Sequence, residues 1–508
     1  MNSLLLGVML VAGCASLPPR VGTAEQAALP AGDSSPLDSV LAPLEARNPG
    51  ETGFHLVTDG VEAFALRGLG ARKAARSIDV QYYIWHDDLS GRLLARELLA
   101  AADRGVRVRI LLDDLDARAN NFALAGLDAH PLIEVRLFNP FSSRKGGVVK
   151  GIEFIGNFSR MNHRMHNKNW IVDNRLAISG GRNIGDEYFA ASDGVNFLDT
   201  DFAMVGPGVR EVSASFDAYW NSTVVWPVAA LSPELANDAS LATLRARHDG
   251  LAVQAAESQW VQSLAGSDVA ARIQAGEIPM RWTSRWQVLA DDPLKAQGDD
   301  NPIERSAVLR GLLAAMDGSQ TSIRLISPYF VPGQKGTQLL ATLDRDGRRV
   351  SVLTNSLAAN DVAAVHGGYS RHRKELLRNG VELWELKPQG GQAASDSLFG
   401  SSGASLHTKA AIFDEDTVLV GSFNLDPRSV SLNCEQGVFA SDPVLAAELG
   451  EHYNHMTSPE RAWRVELDAA GKLRWSDGER TLDEEPEASL KRRTTAWLMR
   501  WLPVQSQL

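Results

Sequence analysis

Three side chains in the stretch MHNKNWIVD (165–173) are of types that can act on a phosphate group: His166, Lys168 and Asp173, in the spacing H-x-K-x4-D. Residues two apart on a strand point to the same face, so His166 and Lys168 can reach one ligand together. A lysine supplies positive charge to an anionic phosphodiester, and a neutral histidine can attack phosphorus or transfer a proton. A histidine on a strand is also compatible with a purely structural role.

The same spacing occurs again in LHTKAAIFD (406–414), which contains His407, Lys409 and Asp414. The two histidines are 241 residues apart. One copy of such a short motif is weak evidence, but a second copy at the interval of an internal repeat is not expected by chance. Two histidines that face one phosphate can divide the chemistry, one attacking phosphorus and the other exchanging the proton of the alcohol. The repetition therefore favours a catalytic site.

A glycine-rich turn follows each motif. GGRN and GSFN share the pattern G-[GS]-x-N and end at Asn183 and Asn424. Backbone N–H groups and an amide in such a turn are suited to binding phosphate oxygens. Neither motif has the additional histidine or carboxylate ligands that a two-metal phosphodiesterase needs, so we expect no catalytic metal and no cofactor.

Carboxylates accompany both motifs. The stretch LDTD parallels LNCE further along the chain, which aligns Asp201 with Glu435. Each is a candidate to accept a hydrogen bond from one histidine ring and so fix its tautomer. Asp173 and Asp414 end their strands, and we expect them to support the site rather than to react.

Alternating strands and helices surround each motif. The predicted strands of the first half are SIDVQYYIW (77–85), VRVRILLDD (106–114) and IEVRLFNP (133–140). Those of the second half are SIRLISPYF (322–330), RRVSVLTNS (348–356) and VELWELKP (381–388). Helical patterns separate the strands by short links, which is typical of βαβ units in a largely parallel sheet. The sequence therefore predicts a duplicated α/β architecture.

Composition restricts the class of protein. The chain has 508 residues, of which 44% are hydrophobic, and it carries 51 basic against 62 acidic side chains for a net charge of -11. This charge argues against electrostatic binding of nucleic acid. Two cysteines exclude a disulfide framework or a cysteine-based metal site.

The N-terminus has features of an export signal. The apolar run LLLGVMLVAG is too short to span a bilayer and ends at Cys14 within VAGC. That stretch resembles the lipobox of bacterial lipoproteins, although MNS lacks the usual basic residue. The resemblance implies lipidation of Cys14 and a membrane-anchored protein in the bacterial envelope that faces the periplasm, with the outer membrane possible. A chance cysteine after an apolar N-terminus is the alternative.

The paired motifs resemble the phospholipase D superfamily, whose mark is two HKD motifs, each followed by a Gly-[Gly/Ser]-x-Asn turn. RMHNK, GGRNIGDEYF and the closing LPVQSQL are similar to bacterial cardiolipin synthases of the C type. The resemblance implies two α/β/α sandwich domains with mixed, mostly parallel sheets and one active site between the halves. It also implies a ping-pong reaction through a phosphohistidine, with His166 as nucleophile and His407 as general acid and base. The sequence alone is symmetric on that assignment.

We expect the following organisation: a lipoprotein signal peptide (1–13), a tether (14–46), a first phospholipase D-like domain (47–235) with its motif at 166–173, a connector (236–300) packed on one half, a second such domain (301–455) with its motif at 407–414, and a C-terminal hairpin and basic amphipathic segment (456–508). The last segment is suited to an anionic membrane surface or to docking on the protein itself. A monomer is expected because one chain carries both motifs.

Several functions remain open at this level. Transfer of a phosphatidyl group between phospholipids, with cardiolipin made from phosphatidylglycerol and a second phospholipid, is the favoured prediction. Hydrolysis of phospholipids uses the same intermediate with water in the second step. An HKD nuclease is disfavoured by the net charge of -11, and a non-catalytic envelope protein by the two intact motifs.

Overall fold

The computed structural model describes residues 17–21, 23–117, 121–142, 161–266, 272, 275, 277–298, 302–360, 362–388 and 406–499. The strands of the first half are β1 (Thr52–Val57), β2 (Ser77–Tyr82), β3 (Arg107–Asp113), β4 (Ile133–Phe138), β5 (Asn169–Val172), β6 (Leu176–Gly180), β7 (Asp201–Val205), β8 (Val225–Pro227) and β9 (Arg281–Thr283). They form one sheet in the order β8-β4-β3-β2-β5-β6-β7-β1-β9.

A second sheet is built in the same way. Its strands are β10 (Trp286–Ala290), β11 (Ser322–Ile326), β12 (Arg349–Asn355), β13 (Glu382–Leu386), β14 (Ala410–Phe413), β15 (Thr417–Gly421), β16 (Gln436–Ser441), β17 (Ala462–Leu467), β18 (Leu473–Ser476) and β19 (Thr481–Leu482). Their order is β10-β16-β15-β14-β11-β12-β13-β17-β18-β19. In the first sheet the motif strand β5 lies between β2 and its hairpin partner β6. In the second sheet the motif strand β14 lies between β11 and its hairpin partner β15 in the same way.

Helices pack around both sheets. Those of the first half and the connector are α1 (Pro36–Arg47), α2 (Gly60–Lys73), α3 (Leu89–Asp103), α4 (Asp114–Ala117), α5 (Asn121–Asp128), α6 (Pro207–Trp220), α7 (Val228–Leu231), α8 (Asp238–Glu257) and α9 (Gln259–Gly266). Those that follow are α10 (Pro302–Arg305), α11 (Ala307–Gly318), α12 (Gly333–Arg345), α13 (Ala363–Ser370), α14 (Arg373–Arg378), α15 (Pro427–Ser431), α16 (Pro443–Met456) and α17 (Leu490–Met499). Short 3-10 turns lie at Asp186–Tyr188 and Pro293–Gln297.

The two halves share an apolar core. Phe202 and Met204 of β7 belong to one buried cluster with Val438 and Ala440 of β16. Separate clusters lie under the outer helices of the first half and of the second half. Burial of this central cluster holds the motif-bearing centres of the two sheets against each other.

The sheets are mixed, as predicted, but mostly antiparallel rather than mostly parallel. Parallel pairing joins β2, β3 and β4, and likewise β11, β12 and β13. The motif strands β5 and β14 run antiparallel to their neighbours because each forms a tight hairpin with the next strand. The predicted strands all form, but the βαβ pattern covers three strands in each sheet.

The segment expected to connect the halves contributes to both sheets instead of packing on one. β9 pairs with β1 in the first sheet, and β10 pairs with β16 in the second. A hairpin does form after residue 456, where β17 and β18 extend the second sheet beyond β13. α17 then packs against α13.

The segment expected to be a tether contacts the first half. Asp38 of α1 is buried and accepts hydrogen bonds from the guanidinium groups of Arg76, at 2.6 Å, and Arg175, at 2.8 Å. Arg20 donates to the carbonyl oxygens of Ser222 and Val225. The predicted signal peptide and Cys14 lie outside the described residues. None of the helices in the described part of the chain has the length and apolarity needed to cross a bilayer.

Candidate active site

Backbone hydrogen bonds fasten each motif to the opposite half. The N–H of His166 donates to the carbonyl oxygen of Cys434 at 2.8 Å, and the N–H of His407 donates to that of Leu198, also at 2.8 Å. Cys434 and Leu198 immediately precede a carboxylate residue in the sequence. The two motifs, predicted from their spacing to form one site, are therefore brought together where the halves meet.

The ring of His166 is held by an acidic side chain of the second half. Its Nδ1 lies 2.8 Å from Oε2 of Glu435 and 2.9 Å from the carbonyl oxygen of Ser422. Since both neighbours are acceptors, Nδ1 carries the proton and the lone pair of the neutral ring is on Nε2. Hydroxyl groups of Ser422 and Ser429 donate to the same carboxylate.

The ring of His407 is held by an acidic side chain of the first half. Its Nδ1 lies 2.5 Å from Oδ2 of Asp199, which is fully buried. Phe197 stacks on the imidazole with ring centroids 5.5 Å apart, and Tyr188 meets it edge-on at 5.1 Å. Tyr83 packs edge-on against His166 at the same distance, 5.1 Å. Each histidine is thus paired with a carboxylate from the other repeat.

Asp201, which the sequence alignment placed in this role, has different partners. Its carboxylate accepts hydrogen bonds from Arg67 at 2.9 Å and from the backbone and side chain of Arg182. The residue at the ring of His407 is Asp199, which the sequence analysis missed. It follows Asn183 by sixteen residues, whereas Glu435 follows its asparagine by eleven, and the match of LDTD to LNCE paired Glu435 with the second aspartate instead of the first.

The glycines of the GGRN turn lie against both aspartates and so do not single out Asp199 in the sequence: a Cβ atom on Gly180 would lie 2.3 Å from Oδ1 of Asp201. A Cβ atom placed on Gly181 would lie 2.2 Å from Oδ1 of Asp199, far inside van der Waals contact. The second glycine of the GGRN turn is therefore needed for the approach of this carboxylate.

The two motif lysines occupy equivalent positions. The Nζ of Lys168 donates to the carbonyl oxygen of His166 at 2.5 Å, and that of Lys409 donates to the carbonyl oxygen of His407 at 2.5 Å. Both are buried. Burial, followed by the charge of Lys409, lowers the pKa of Lys168 well below its usual value. The pair concentrates positive charge in a pocket with little solvent, where an anionic phosphate would offset it.

Burial keeps both imidazoles neutral. It lowers the pKa of His166 to about 4, against the opposing charge of Glu435, and the pKa of His407 to about 3, assisted by the charge of Lys409. Burial alone would raise the pKa of Glu435, but His166 holds it below its usual value. At neutral pH the site therefore contains two neutral histidines, each backed by an ionised carboxylate.

The two asparagines differ in their surroundings. Oδ1 of Asn183 accepts the N–H of Ile84 at 3.2 Å, and its Nδ2 donates to the hydroxyl of Tyr188 at 3.0 Å. Asn424 is 4% exposed, and its Oδ1 has no hydrogen-bond partner among the described residues. Asn183 thus positions Tyr188, the neighbour of His407, while the amide of Asn424 retains capacity to bind a ligand.

Asp173 and Asp414 lie at the opposite ends of the motif strands from the histidines. The carboxylate of Asp173 accepts backbone N–H groups of Ala75, Arg76 and Ser77. Asp414 accepts those at residues 320–322 in the same way. This geometry matches a supporting role, because it ties the end of each motif strand to the start of β2 or β11.

Metal-type ligands come together elsewhere in the described part of the chain. The ligand atoms of His86, Asp88 and Glu187 lie within 4.8 Å of one another. Nδ1 of His86 is 3.1 Å from Glu187, and this contact helps to raise its pKa to about 9 against the effect of burial. The arrangement is accounted for by an ion pair, and its side chains are separate from the two-histidine site.

Comparison with known proteins gives a consistent result. The chain matches the family described as "Cardiolipin synthase, PLD-like domain" over residues 71–220 and 312–457. It is 40% identical to cardiolipin synthase C of Escherichia coli over 92% of this chain and 99% of that protein. An uncharacterized protein of Helicobacter pylori is 34% identical over 81% of each chain.

A solved structure supports the fold. The crystal structure of phosphatidylserine synthase from Haemophilus influenzae superposes with a TM-score of 0.56 at 14% identity, covering 92% of this chain and 99% of that one. At this identity the likeness concerns the fold alone.

Proposed function

Because the chain belongs to the family of cardiolipin synthases with phospholipase D-like domains, we propose that it transfers a phosphatidyl group from a donor phospholipid to the headgroup hydroxyl of phosphatidylglycerol and so makes cardiolipin. The observation that carries the proposal is the pair of neutral histidines, each held by a carboxylate of the opposite half. One such histidine would suffice to relay a proton, but a covalent transfer needs a nucleophile and an acid together.

In the proposed first step, Nε2 of His166 attacks phosphorus of the donor phospholipid, and a nitrogen–phosphorus bond replaces the bond from phosphorus to the oxygen of the headgroup alcohol. The departing oxygen takes a proton from His407. Although burial lowers the pKa of the His407 ring in the free protein, an anionic phosphodiester beside it favours the imidazolium. The headgroup alcohol then leaves the site, as glycerol from phosphatidylglycerol or as ethanolamine from phosphatidylethanolamine.

In the second step, His407 removes the proton from a hydroxyl of the acceptor lipid. The resulting oxygen attacks phosphorus and displaces His166, which regenerates the free protein. Lys168, Lys409 and Asn424 are proposed to bind the equatorial oxygens, whose charge grows in the transition state. The carboxylates of Glu435 and Asp199 orient the rings and stabilise their charged forms.

The product decides between transfer and hydrolysis. Purified protein would be incubated with phosphatidylglycerol labelled in the phosphatidyl group, with and without phosphatidylethanolamine as a second phospholipid. Labelled cardiolipin supports the proposal, and its dependence on phosphatidylethanolamine would identify that lipid as the donor of the second phosphatidyl group. Phosphatidic acid as the sole labelled product would show that water completes the reaction, and the proposal would fail.

We also propose that the protein acts as a monomer at the surface of a bacterial envelope membrane. A lipidated Cys14 would anchor it stably, since such a terminus carries more than one acyl chain. α17 would also contact the membrane surface through its apolar side chains, since Leu490 is 78%, Trp497 57% and Leu498 58% exposed. The helix remains fixed to the protein through Arg492, which donates to the carbonyl oxygen of Ala358 at 2.9 Å.

A further inference from the structure

An apolar groove of about 360 Å³ lies between α11, α12 and the segment 423–431. Side chains of Leu309, Leu339 and Val430 line it, and more exposed aliphatic residues lie at its rim. Ile303 is 46% and Leu313 39% exposed there. The size falls within the usual range of small-molecule sites. Exposed apolar surface of this kind generally marks a binding site for a ligand or a macromolecular partner.

The groove adjoins the catalytic turn of the second half. Phe423 and Leu425 line it on either side of Asn424 in the sequence. The N–H of Val331 donates to the carbonyl oxygen of Leu425 at 2.7 Å, which fixes the groove wall to the loop after β11. The wall of the groove and the amide of Asn424 therefore belong to the same turn.

A separate cavity of about 20 Å³ lies beside the groove. It shares Leu312, Leu325, Phe423 and Leu425 with the groove, and Lys409 lines it as well. The same four side chains thus form a wall of the groove and a wall of the cavity at a motif lysine.

We propose that this groove binds one acyl chain of a phospholipid substrate and places its phosphate at Asn424 and Lys409. The inference rests on the proposed function, because it assigns the apolar part of that substrate. Most of the lining is apolar, and its polar residues Lys335, Asp426 and Ser431 are too few to satisfy the hydrogen bonds of a headgroup or sugar. An extended hydrocarbon chain needs none, and each buried methylene contributes roughly fourfold to affinity.

Filling the groove tests the assignment. Gly336 lines it from within α12, and a Cβ atom there meets only the side chain of Pro332, at 3.0 Å. Gly336→Phe therefore places a ring in the groove at a helical position. We expect the ratio of kcat/KM for dioleoyl over dihexanoyl phosphatidylglycerol to fall at least about tenfold relative to the unmodified protein. An unchanged ratio would overturn the proposal.

Two further variants keep the test decisive. Val444→Phe adds the same ring to α16 at a site that is 43% exposed and outside the groove, and it should leave the ratio unchanged. Leu313→Gln, at the rim, should lower the ratio about threefold even if Gly336→Phe fails to fold. A change of oligomeric state without a change in chain-length preference would assign the groove to a second copy of the chain and contradict the inference.

Binding can be measured without turnover. A dansyl-labelled fatty acid should bind the full chain saturably, with Kd at least tenfold weaker for Gly336→Phe and unchanged for Val444→Phe. Binding that is insensitive to Gly336→Phe would refute the groove as the acyl site. If the fatty acid binds as expected but no phosphatidylglycerol is consumed, the proposed function fails while the apolar site stands.

Discussion

At the scale of single residues, the site consists of two histidines in unequal surroundings. His407 is covered by Phe197 and Tyr188, whereas His166 meets Tyr83 and the carbonyl oxygen of Ser422. The sequence motifs are symmetric, so this difference comes from residues that neither motif contains. It gives the two rings a physical basis for different roles.

Removal of either ring should stop the reaction. We expect His166→Ala and His407→Ala each to lower kcat/KM by at least about 10⁴, because neither covalent attack nor proton transfer has a substitute nearby. Phosphatidylglycerol labelled at phosphorus should give an acid-labile phosphoenzyme only while His166 is present. Substantial activity in either variant would contradict the two-histidine mechanism.

Substitution of Asp199 should lower catalytic activity, whereas substitution of Asp201 should lower the stability of the fold. Asp199→Asn keeps the size of the side chain but removes the charge that stabilises the His407 imidazolium, so kcat should fall about 10²- to 10³-fold with little effect on folding. Asp201→Asn leaves Arg67 and Arg182 without their buried counter-charge and should cost about 3–5 kcal/mol of unfolding free energy. Kinetics and chemical denaturation of both variants check this, and the reverse pattern would return Asp201 to the catalytic role.

The depressed histidine pKa values predict an acid-sensitive fold. Because burial lowers the pKa of His166 from about 6.5 to about 4, the unfolded chain takes up a proton between these pH values that the folded protein excludes. The contribution of His166 to stability is then complete above pH 6.5 and is lost toward pH 4, by about 3 kcal/mol. Denaturation with urea across that range should show a shallower decrease for His166→Gln. Parallel curves would mean that His166 is protonated in the folded state.

At the scale of elements, the strands were predictable but their pairing was not. The alternation and β-branched residues of SIDVQYYIW and SIRLISPYF place strands where β2 and β11 begin, at Ser77 and Ser322. The direction of a neighbouring strand depends on contacts distant in sequence, so the antiparallel insertion of β5 beside β2 left no local pattern.

The same limit explains the missed carboxylate. The segment from Asn183 to Asp199 is five residues longer than the segment from Asn424 to Glu435, and its 3-10 turn Asp186–Tyr188 brings Tyr188 to His407. Counting from the asparagines therefore does not pair the two carboxylates, and the short match of LDTD to LNCE selected Asp201. The histidines, lysines and asparagines precede this difference in length, which is why they aligned.

The motif aspartates should act through the strands that they anchor. Asp173 is fully buried and satisfies three backbone N–H groups, so Asp173→Ala should lower the unfolding free energy by about 2–4 kcal/mol. Asp414 makes similar contacts in a more exposed position, and Asp414→Ala should cost less. Thermal unfolding and the kcat of the folded fraction check this. A loss of kcat without a loss of stability would place Asp173 in the chemistry.

At the scale of the whole molecule, the expected tether turned out to be part of the folded protein. Arg76 and Arg175 hold Asp38 of α1, and residues that precede it reach the carbonyl oxygens at 222 and 225. A protein anchored through Cys14 would therefore sit close to the membrane, with only a short segment between the anchor and the first half. This proximity suits a substrate that must leave a bilayer.

The anchor can be tested independently of activity. Cys14→Ser should move the protein from the membrane to the soluble fraction after cell lysis and carbonate washing, because α17 alone buries little apolar surface. Leu498→Gln in α17 serves as the comparison and should leave the lipidated protein in the membrane. Retention of Cys14→Ser in the membrane would show that anchoring does not depend on lipidation.

The backbone N–H of His166 contacts Cys434 and its ring contacts Glu435, while the N–H and ring of His407 contact Leu198 and Asp199. These contacts are reciprocal, as in an isologous dimer whose two subunits each complete the other. Two repeats within one polypeptide need not have identical sequences, so each can accumulate its own substitutions on its side of the interface. Separately expressed halves should accordingly be inert alone and recover turnover when mixed, as two subunits of a heterodimer would.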